Sequence, residues 1–183
     1  MSGRGLPDFE TPRLRLRPRS LADTEACLAM DREPDVARFV PEVLRMVCGP
    51  EADAAAHRAF VEERTLGPYP RGLGYWTICP RAGEDVFLGW VLLIPMDAEG
   101  PEVEIGWRLR RSAWGRGYAS EAAAVLVPHG LVGLGLPEII ADIDPANLGS
   151  IRVAEKIGLR RRGPTPQWES LVRYALTREE FGG

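Results

Sequence analysis

Two short stretches of this 183-residue chain place chemically capable residues at close spacing. The first, Arg108 to Glu121, reads R-L-R-R-S-A-W-G-R-G-Y-A-S-E. An alternating strand ends there, a loop with Gly115 and Gly117 follows, and a helix begins near Gly117. The start of a helix presents unpaired N–H groups and a partial positive charge. Glycines let a phosphate come close to that backbone, and Arg110, Arg111 and Arg116 add positive charge. On these residues alone, a site for a phosphate-bearing ligand and a tight loop with solvated arginines are both open. The second stretch runs from Asn147 to Leu159. Asn147 is placed to cap a helix, and its amide can also meet amide groups of a ligand. Ser150 sets a hydroxyl in the first turn. Capping plus an amphipathic helix also accounts for these residues. A carboxylate able to take a proton stands nearby in sequence, Glu104, with Glu102 on the same strand face.

The phosphate chemistry can be narrowed. A Walker loop needs Gly-Lys-Ser/Thr, and the first stretch has no lysine. A dinucleotide fingerprint lacks its third glycine, because Ser120 stands there. Asp142 imitates the ribose-binding acid but follows Gly115 by 27 residues, and Arg110 to Trp114 separate the strand from the first glycine. A nucleotide-binding oxidoreductase is therefore a weak alternative.

These residues must be positioned by regular elements. Leu14-Arg15-Leu16-Arg17 alternates as a strand and ends at Pro18. Ser20 with Asp23 opens a helix that stops before Pro34. A second helix spans about Glu51 to Arg64. Tyr75–Cys79 and Val86–Ile94 read as a hairpin. Val103, Ile105, Trp107 and Leu109 alternate with Glu104, Gly106 and Arg108 as a half-buried strand. Helical spacing from Tyr118 is bent or ended by Pro128 and Gly130, and Gly130 to Gly135 is expected to be loose. Ile139–Ile143 is a buried strand, Ser150–Ile157 a helix stopped by Gly158, and Ser170–Leu176 a last strand. A short strand at Leu159–Arg162 is optional. The order predicts an α/β (α+β) domain over residues 1–183. Its mixed, mostly antiparallel sheet has about six to seven strands, flanked by about four helices.

Composition bounds the partners. Apolar residues are 45% and charged residues 27%, with a net charge of −3, which describes a globular chain and disfavours disorder. That balance gives no global pull toward nucleic acid or membrane, and no apolar run reaches the ~20 residues of a membrane span. Cys27, Cys48 and Cys79 are odd in number and lack metal spacing. They are expected to be small apolar packers in a reducing cytoplasm, with no metal site. Lys156 is the only lysine among 23 basic residues; the arginine excess is spread along the whole chain. His57 and His129 read as exposed or structural, and Trp168 as a residue to test for substrate contact. A monomer and a homodimer are both compatible.

Together the two stretches resemble the GNAT N-acetyltransferase family, most of all its ribosomal-protein N-terminal acetyltransferase branch. Trp114-Gly115-Arg116-Gly117-Tyr118-Ala119-Ser120-Glu121-Ala122 looks like the family's hallmark loop. Asn147-x-x-Ser150-x-Arg152-Val153-x-Glu155-Lys156-x-Gly158-Leu159 looks like its second hallmark. Thr11 to Pro18 and Glu104-Ile105-Gly106-Trp107 are similar to the branch as well. The sequence departs at Ser112, three residues before the first glycine, where the family often has Gln or Arg.

The resemblance implies acetyl-CoA as co-substrate. The pantetheine arm would lie along Trp107, Arg108, Leu109 and Arg110, and the pyrophosphate on amides of Gly115, Arg116, Gly117, Tyr118 and Ala119. Asn147 would meet the pantetheine, and Ser150 would lie near the thioester sulfur. Direct aminolysis needs a neutral amine, and α-amino groups titrate near ~8 and lysines near ~10.4. Glu104 is the nominated base, and a backbone N–H near Trp107 or Arg108 the oxyanion donor. Ser150 is the nominated proton donor to the thiolate. Glu121 is expected to brace the loop. The acceptor would be a protein N-terminus, an amino acid or another small amine, met by Asp31–Pro50, Leu66–Gly74 and Gly163–Trp168. A CoA-binding sensor or interaction module without turnover is the alternative from another class.

Overall fold

The computed structural model describes residues 5–50, 52–96, 100–165 and 170–183. Among them the strands are β1 (Phe9–Glu10), β2 (Leu14–Pro18), β3 (Gly74–Pro80), β4 (Gly89–Pro95), β5 (Val103–Leu109), β6 (Glu138–Ile143), β7 (Arg160–Pro164) and β8 (Val172–Thr177). The helices are α1 (Thr24–Asp31), α2 (Pro34–Ala37), α3 (Pro41–Val47), α4 (Ala54–Leu66), α5 (Tyr118–Pro128), α6 (Leu148–Lys156) and α7 (Arg178–Gly182).

All eight strands join one sheet in the order β1-β2-β3-β4-β5-β6-β8-β7. Neighbours are antiparallel except β5 and β6, which run parallel. The period-2 alternation sorts side chains to two cores. One face carries Leu14, Leu16, Trp76, Ile78, Val91 and Ile105, buried with Ala122 and Leu126 of α5 and Ala154 of α6. The other carries Tyr75, Trp90, Leu92 and Ile94, buried with Cys27 and Leu28 of α1 and Val61 of α4. Burial on both faces explains why β3 and β4 read as continuous apolar runs instead of alternations.

The sheet and helix counts exceed those expected from sequence, at eight strands and seven α-helices among the described residues. The additions are short. β1 has two residues, too few to show a period. α2 and α3 have four and seven, each with proline in its first turn, where the missing N–H costs nothing. They occupy a stretch expected to be an acceptor loop. α7 has five residues and is capped by Thr177, whose side chain accepts from the Glu180 N–H.

Two further expectations change. The stretch after Pro128 is tightly packed: His129–Gly133 forms a π-helical turn, and a Cβ on Gly130 would lie 2.8 Å from Ile139 Cδ1. Among the cysteines, Cys27 and Cys79 are buried, but Cys48 is exposed just beyond the end of α3.

Candidate active site

β5 and β6 are in register only at Glu104 opposite Ile140. Beyond that point the strands part, while β5 stays paired to β4 through Leu109. The phase of the β4–β5 ladder follows from the Met96 N–H to Glu102 carbonyl bond and the Arg110 N–H to Leu88 carbonyl bond. Even-numbered residues of β5 thus turn their backbone groups to β4, and Trp107 and Leu109 turn theirs to the gap. The Leu109 carbonyl there accepts from Trp114 Nε1 at 2.8 Å, which folds the following loop back onto the strand.

That loop holds Gly115 at φ +73° and Gly117 at φ +77°, left-handed conformations that favour glycine. Gly117 precedes α5 and supplies no side-chain cap. The first helical bond runs from Glu121 N–H to the Gly117 carbonyl, so the N–H groups of Tyr118, Ala119 and Ser120 have no helical acceptor. Glu121 does brace the loop. Its Oε1 accepts from Thr11 Oγ1 at 2.6 Å and from the Arg13 N–H at 3.0 Å, and its Oε2 from Arg13 Nε at 2.7 Å. Arg13 Nη1 donates to the Arg116 carbonyl at 3.0 Å.

Across the gap, Asn147 caps α6: its Oδ1 accepts from the Ser150 N–H at 3.1 Å. Trp107 Nε1 donates to Ser150 Oγ at 3.3 Å, bridging β5 and α6. A groove of about 600 Å³ is lined by Trp107, Arg108, Leu109, Gly115, Gly117, Tyr118, Ala119, Asn147 and Ser150. The fold thus gathers most of the sequence-nominated residues. Arg110 and Arg116 line neither this groove nor the next cavity. Arg110 pairs with Glu33 at 3.4 Å.

A second cavity, of about 460 Å³, lies on the α1–α4 side and contains Glu104, Gly106, Arg19, Arg64, Tyr75 and Trp90. Phe39, Val40, Trp107, Arg108, Asn147 and Ser150 line both spaces, so the two meet at the strand gap. Glu102, the other acid on that strand face, is engaged by Arg173 at 2.5 Å, and Asp142 by the same guanidinium at 2.8 Å.

Sequence reasoning missed the buried network beneath the second cavity. Asp31 Oδ1 accepts from Arg108 Nη1 at 2.8 Å, and Asp31 Oδ2 contacts His57 Nε2 at 3.0 Å. Burial pushes the Asp31 carboxyl up, but the His57 hydrogen bond and the Arg108 charge outweigh it and hold it below the ordinary value. Arg108 also stacks 4.9 Å from the Trp90 ring centroid. His57 is buried, and His129 contacts the Gly72 carbonyl at 2.8 Å. Arg19 is buried over Tyr75, and that burial pushes its guanidinium below the ordinary value. Sequence parity placed Arg108 and Glu104 on one face, but nothing local joined them to Asp31 or Arg19. Trp168 lies outside the described residues.

An acetyltransferase (GNAT) domain profile matches residues 13–160. The chain is similar to the FsC-acetyl coenzyme A-N(2)-transacetylase of Aspergillus fumigatus. They are 30% identical over 203 residues, covering 99% of this chain and 80% of the relative. Its structure is similar to that of a GNAT-family acetyltransferase from Bacillus anthracis, with a TM-score of 0.72 and 29% identity, covering 95% of this chain and 100% of that one. A structure from Vibrio cholerae ascribed to a ribosomal-protein-serine acetyltransferase shares the fold, with a TM-score of 0.64 at 16% identity over 95% of this chain and 99% of that one. A profile match over most of the chain, with a relative of that identity and coverage, makes this protein an acetyltransferase of the GNAT family.

Proposed function

We propose that the protein moves an acetyl group from acetyl-CoA to a primary amine by direct thioester aminolysis. The observation that carries this reading is the meeting of two cavities at the β5–β6 gap, one floored by helix N-terminal amides and one holding Glu104. The groove suits a pyrophosphate-bearing chain: the α5 amides lack helical acceptors, and the outward edge of β5 offers the Trp107 N–H and carbonyl. Trp107, Arg108 and Leu109 would hold the pantetheine, with Asn147 at its amides. Gly115, Gly117, Tyr118 and Ala119 would hold the pyrophosphate, and Arg110 and Arg116 would act through charge at longer range.

Acetyl-CoA would supply the activated acyl group. Glu104 would take the proton of the ammonium, directly or through water, because only the neutral amine attacks. The Trp107 N–H faces the gap and would steady the carbonyl oxygen as it gains charge. Ser150 Oγ, oriented by the Trp107 indole, would pass a proton to the departing thiolate. The acceptor would be a protein N-terminus, an amino acid or another small amine. The N(2) in the Aspergillus relative's name supports a nitrogen acceptor. The N-terminal acetyltransferase branch is supported by the Thr11–Pro18 and Glu104–Trp107 resemblance.

Calorimetric titration with acetyl-CoA, and NADH in a parallel cell, tests the reading. Micromolar acetyl-CoA binding with no heat from NADH is expected, followed by amine-dependent release of free CoA thiol. Silence from acetyl-CoA overturns it.

A further inference from the structure

Arg19 leaves β2 on the sheet face shared by Tyr75, Trp90 and Arg108. Its guanidinium carbon lies 3.8 Å from the Tyr75 ring centroid and 5.8 Å from that of Trp90. The residue is 8% exposed and lines the cavity that contains Glu104. Its Nε and Nη2 are buried with no hydrogen-bond partner among the described residues. Neighbouring arginines differ in this respect: Asp23 takes Arg17, and Asp31 takes Arg108. Asp31 is also engaged by His57. An arginine stays charged at any physiological pH. Buried charges are ordinarily paired, and an aromatic face replaces only part of the lost hydration.

The cavity also carries other charged groups. Arg64 of α4 lies with Arg19 near Tyr75 of β3, with Glu42 close to Arg64, and Arg45 also lines the cavity. Glu104 of β5 and Asp142 and Asp144 at the end of β6 line it on the other side, where Arg108 is neutralised by Asp31. We infer that the acceptor amine carries a carboxylate, and that Arg19 is the residue that docks it. The inference rests on the acetyl-transfer reading above and adds the class of acceptor.

Strand geometry sets the spacing within that acceptor. The Arg19 N–H donates to the Tyr75 carbonyl, and the same row continues through Leu92 to Gly106. Three strand spacings of about 4.8 Å separate the Arg19 backbone from β5. The guanidinium lies over Tyr75 of the adjacent strand, leaving roughly 10 Å to β5. A carboxylate several bonds from the reacting amine spans that distance. Nε and Nη2 form the parallel pair of donors that a carboxylate accepts; both are covered by neighbouring atoms, so docking requires the guanidinium to turn that edge toward the cavity. A polyamine or polycationic drug would instead meet Arg19, Arg45 and Arg64 with like charge.

Matched acceptors test this: aminopentanoate against pentylamine, and aminohexanoate against hexylamine. Wild type is expected to favour the aminocarboxylates by roughly 10–100-fold in kcat/KM, the range of a charged bidentate contact. Arg19→Met should bring that ratio close to one. Arg19→Lys, which keeps charge but loses the planar fork, should fall between, and it is the variant to read if Arg19→Met does not fold. Calorimetry of aminopentanoate with the CoA-saturated protein gives a second readout without turnover, and its binding should weaken in the same order. A wild-type ratio near one, or a preference that survives both substitutions, overturns the inference and leaves Arg19 as a stacking partner of Tyr75. Failure of acetyl-CoA to bind wild type overturns the transferase reading itself. Acetyl-CoA binding without carboxylate preference removes only the role of Arg19.

Discussion

Glu104 sits at the one position where β5 and β6 are in register, just before they part, on the face turned to the acceptor-side cavity. Its isostere tests its role with little change of shape. If Glu104 takes the ammonium proton, Glu104→Gln should lower kcat by about 10²–10⁴ while calorimetry still detects acetyl-CoA binding. Transfer at the wild-type rate would remove Glu104 from the mechanism. A wild-type protein that binds acetyl-CoA but acetylates no amine in a broad panel would instead favour the sensor alternative. Asp31 makes a different kind of demand. It is 2% exposed between Arg108 and His57, so Asp31→Asn leaves a buried guanidinium without its counter-charge. Breaking such a pair costs about 3–5 kcal/mol, measurable as a lower urea midpoint at unchanged slope.

At the scale of elements, the loop between β5 and α5 decides whether helix amides face the groove. Gly117 is left-handed, and a Cβ there would lie 3.5 Å from Arg13 Nη2, an ordinary contact. The cost of Gly117→Ala is therefore conformational, about 1–2 kcal/mol, and acetyl-CoA affinity should fall with it. Gly89→Ala is the contrasting case, because its Cβ would come 2.2 Å from the Arg108 carbonyl and force β4 from β5. Thermal unfolding should place Gly89→Ala well below Gly117→Ala; equal midpoints would contradict this account of the ladder. These features were legible because they are local: a glycine pair, a capping Asn147, and the alternation of Val103 to Leu109. The four-residue α2 and two-residue β1 were not, since neither spans a full hydrophobic period. Nor could local pattern reveal Arg108 meeting Asp31, 77 residues away in sequence. Nor did the strand reading, which ended at Pro18, reach Arg19 or the aromatic rings that cover it.

Over the whole molecule, three carboxylates tie distant elements together. Asp23 holds Arg17 of β2 and Thr77 of β3, Asp31 holds Arg108 of β5, and Glu121 of α5 holds Thr11 and Arg13. In each case burial works to raise the carboxyl, but these bonds overcome it and leave the folded value below the ordinary one. The unfolded chain then binds protons that the folded one refuses. The stabilisation is present in full above the unfolded values, near ~4, and is lost as pH falls from there through the lowered folded values. Urea unfolding should therefore give a level stability from neutral pH to about pH 5. Below pH 4 it should fall steeply: these three protons alone give a limiting slope of about 4 kcal/mol per pH unit, and Asp85 and Glu180, also held below their ordinary values by their partners, steepen it further. Asp31→Asn removes one of those protons, so the variant should start less stable at neutral pH yet lose stability less steeply in acid, by one proton's share of about 1.4 kcal/mol per pH unit. An unchanged acid slope in that variant would mean that Asp31 is not held below its ordinary value. The buried Arg108 would then need another source of compensation.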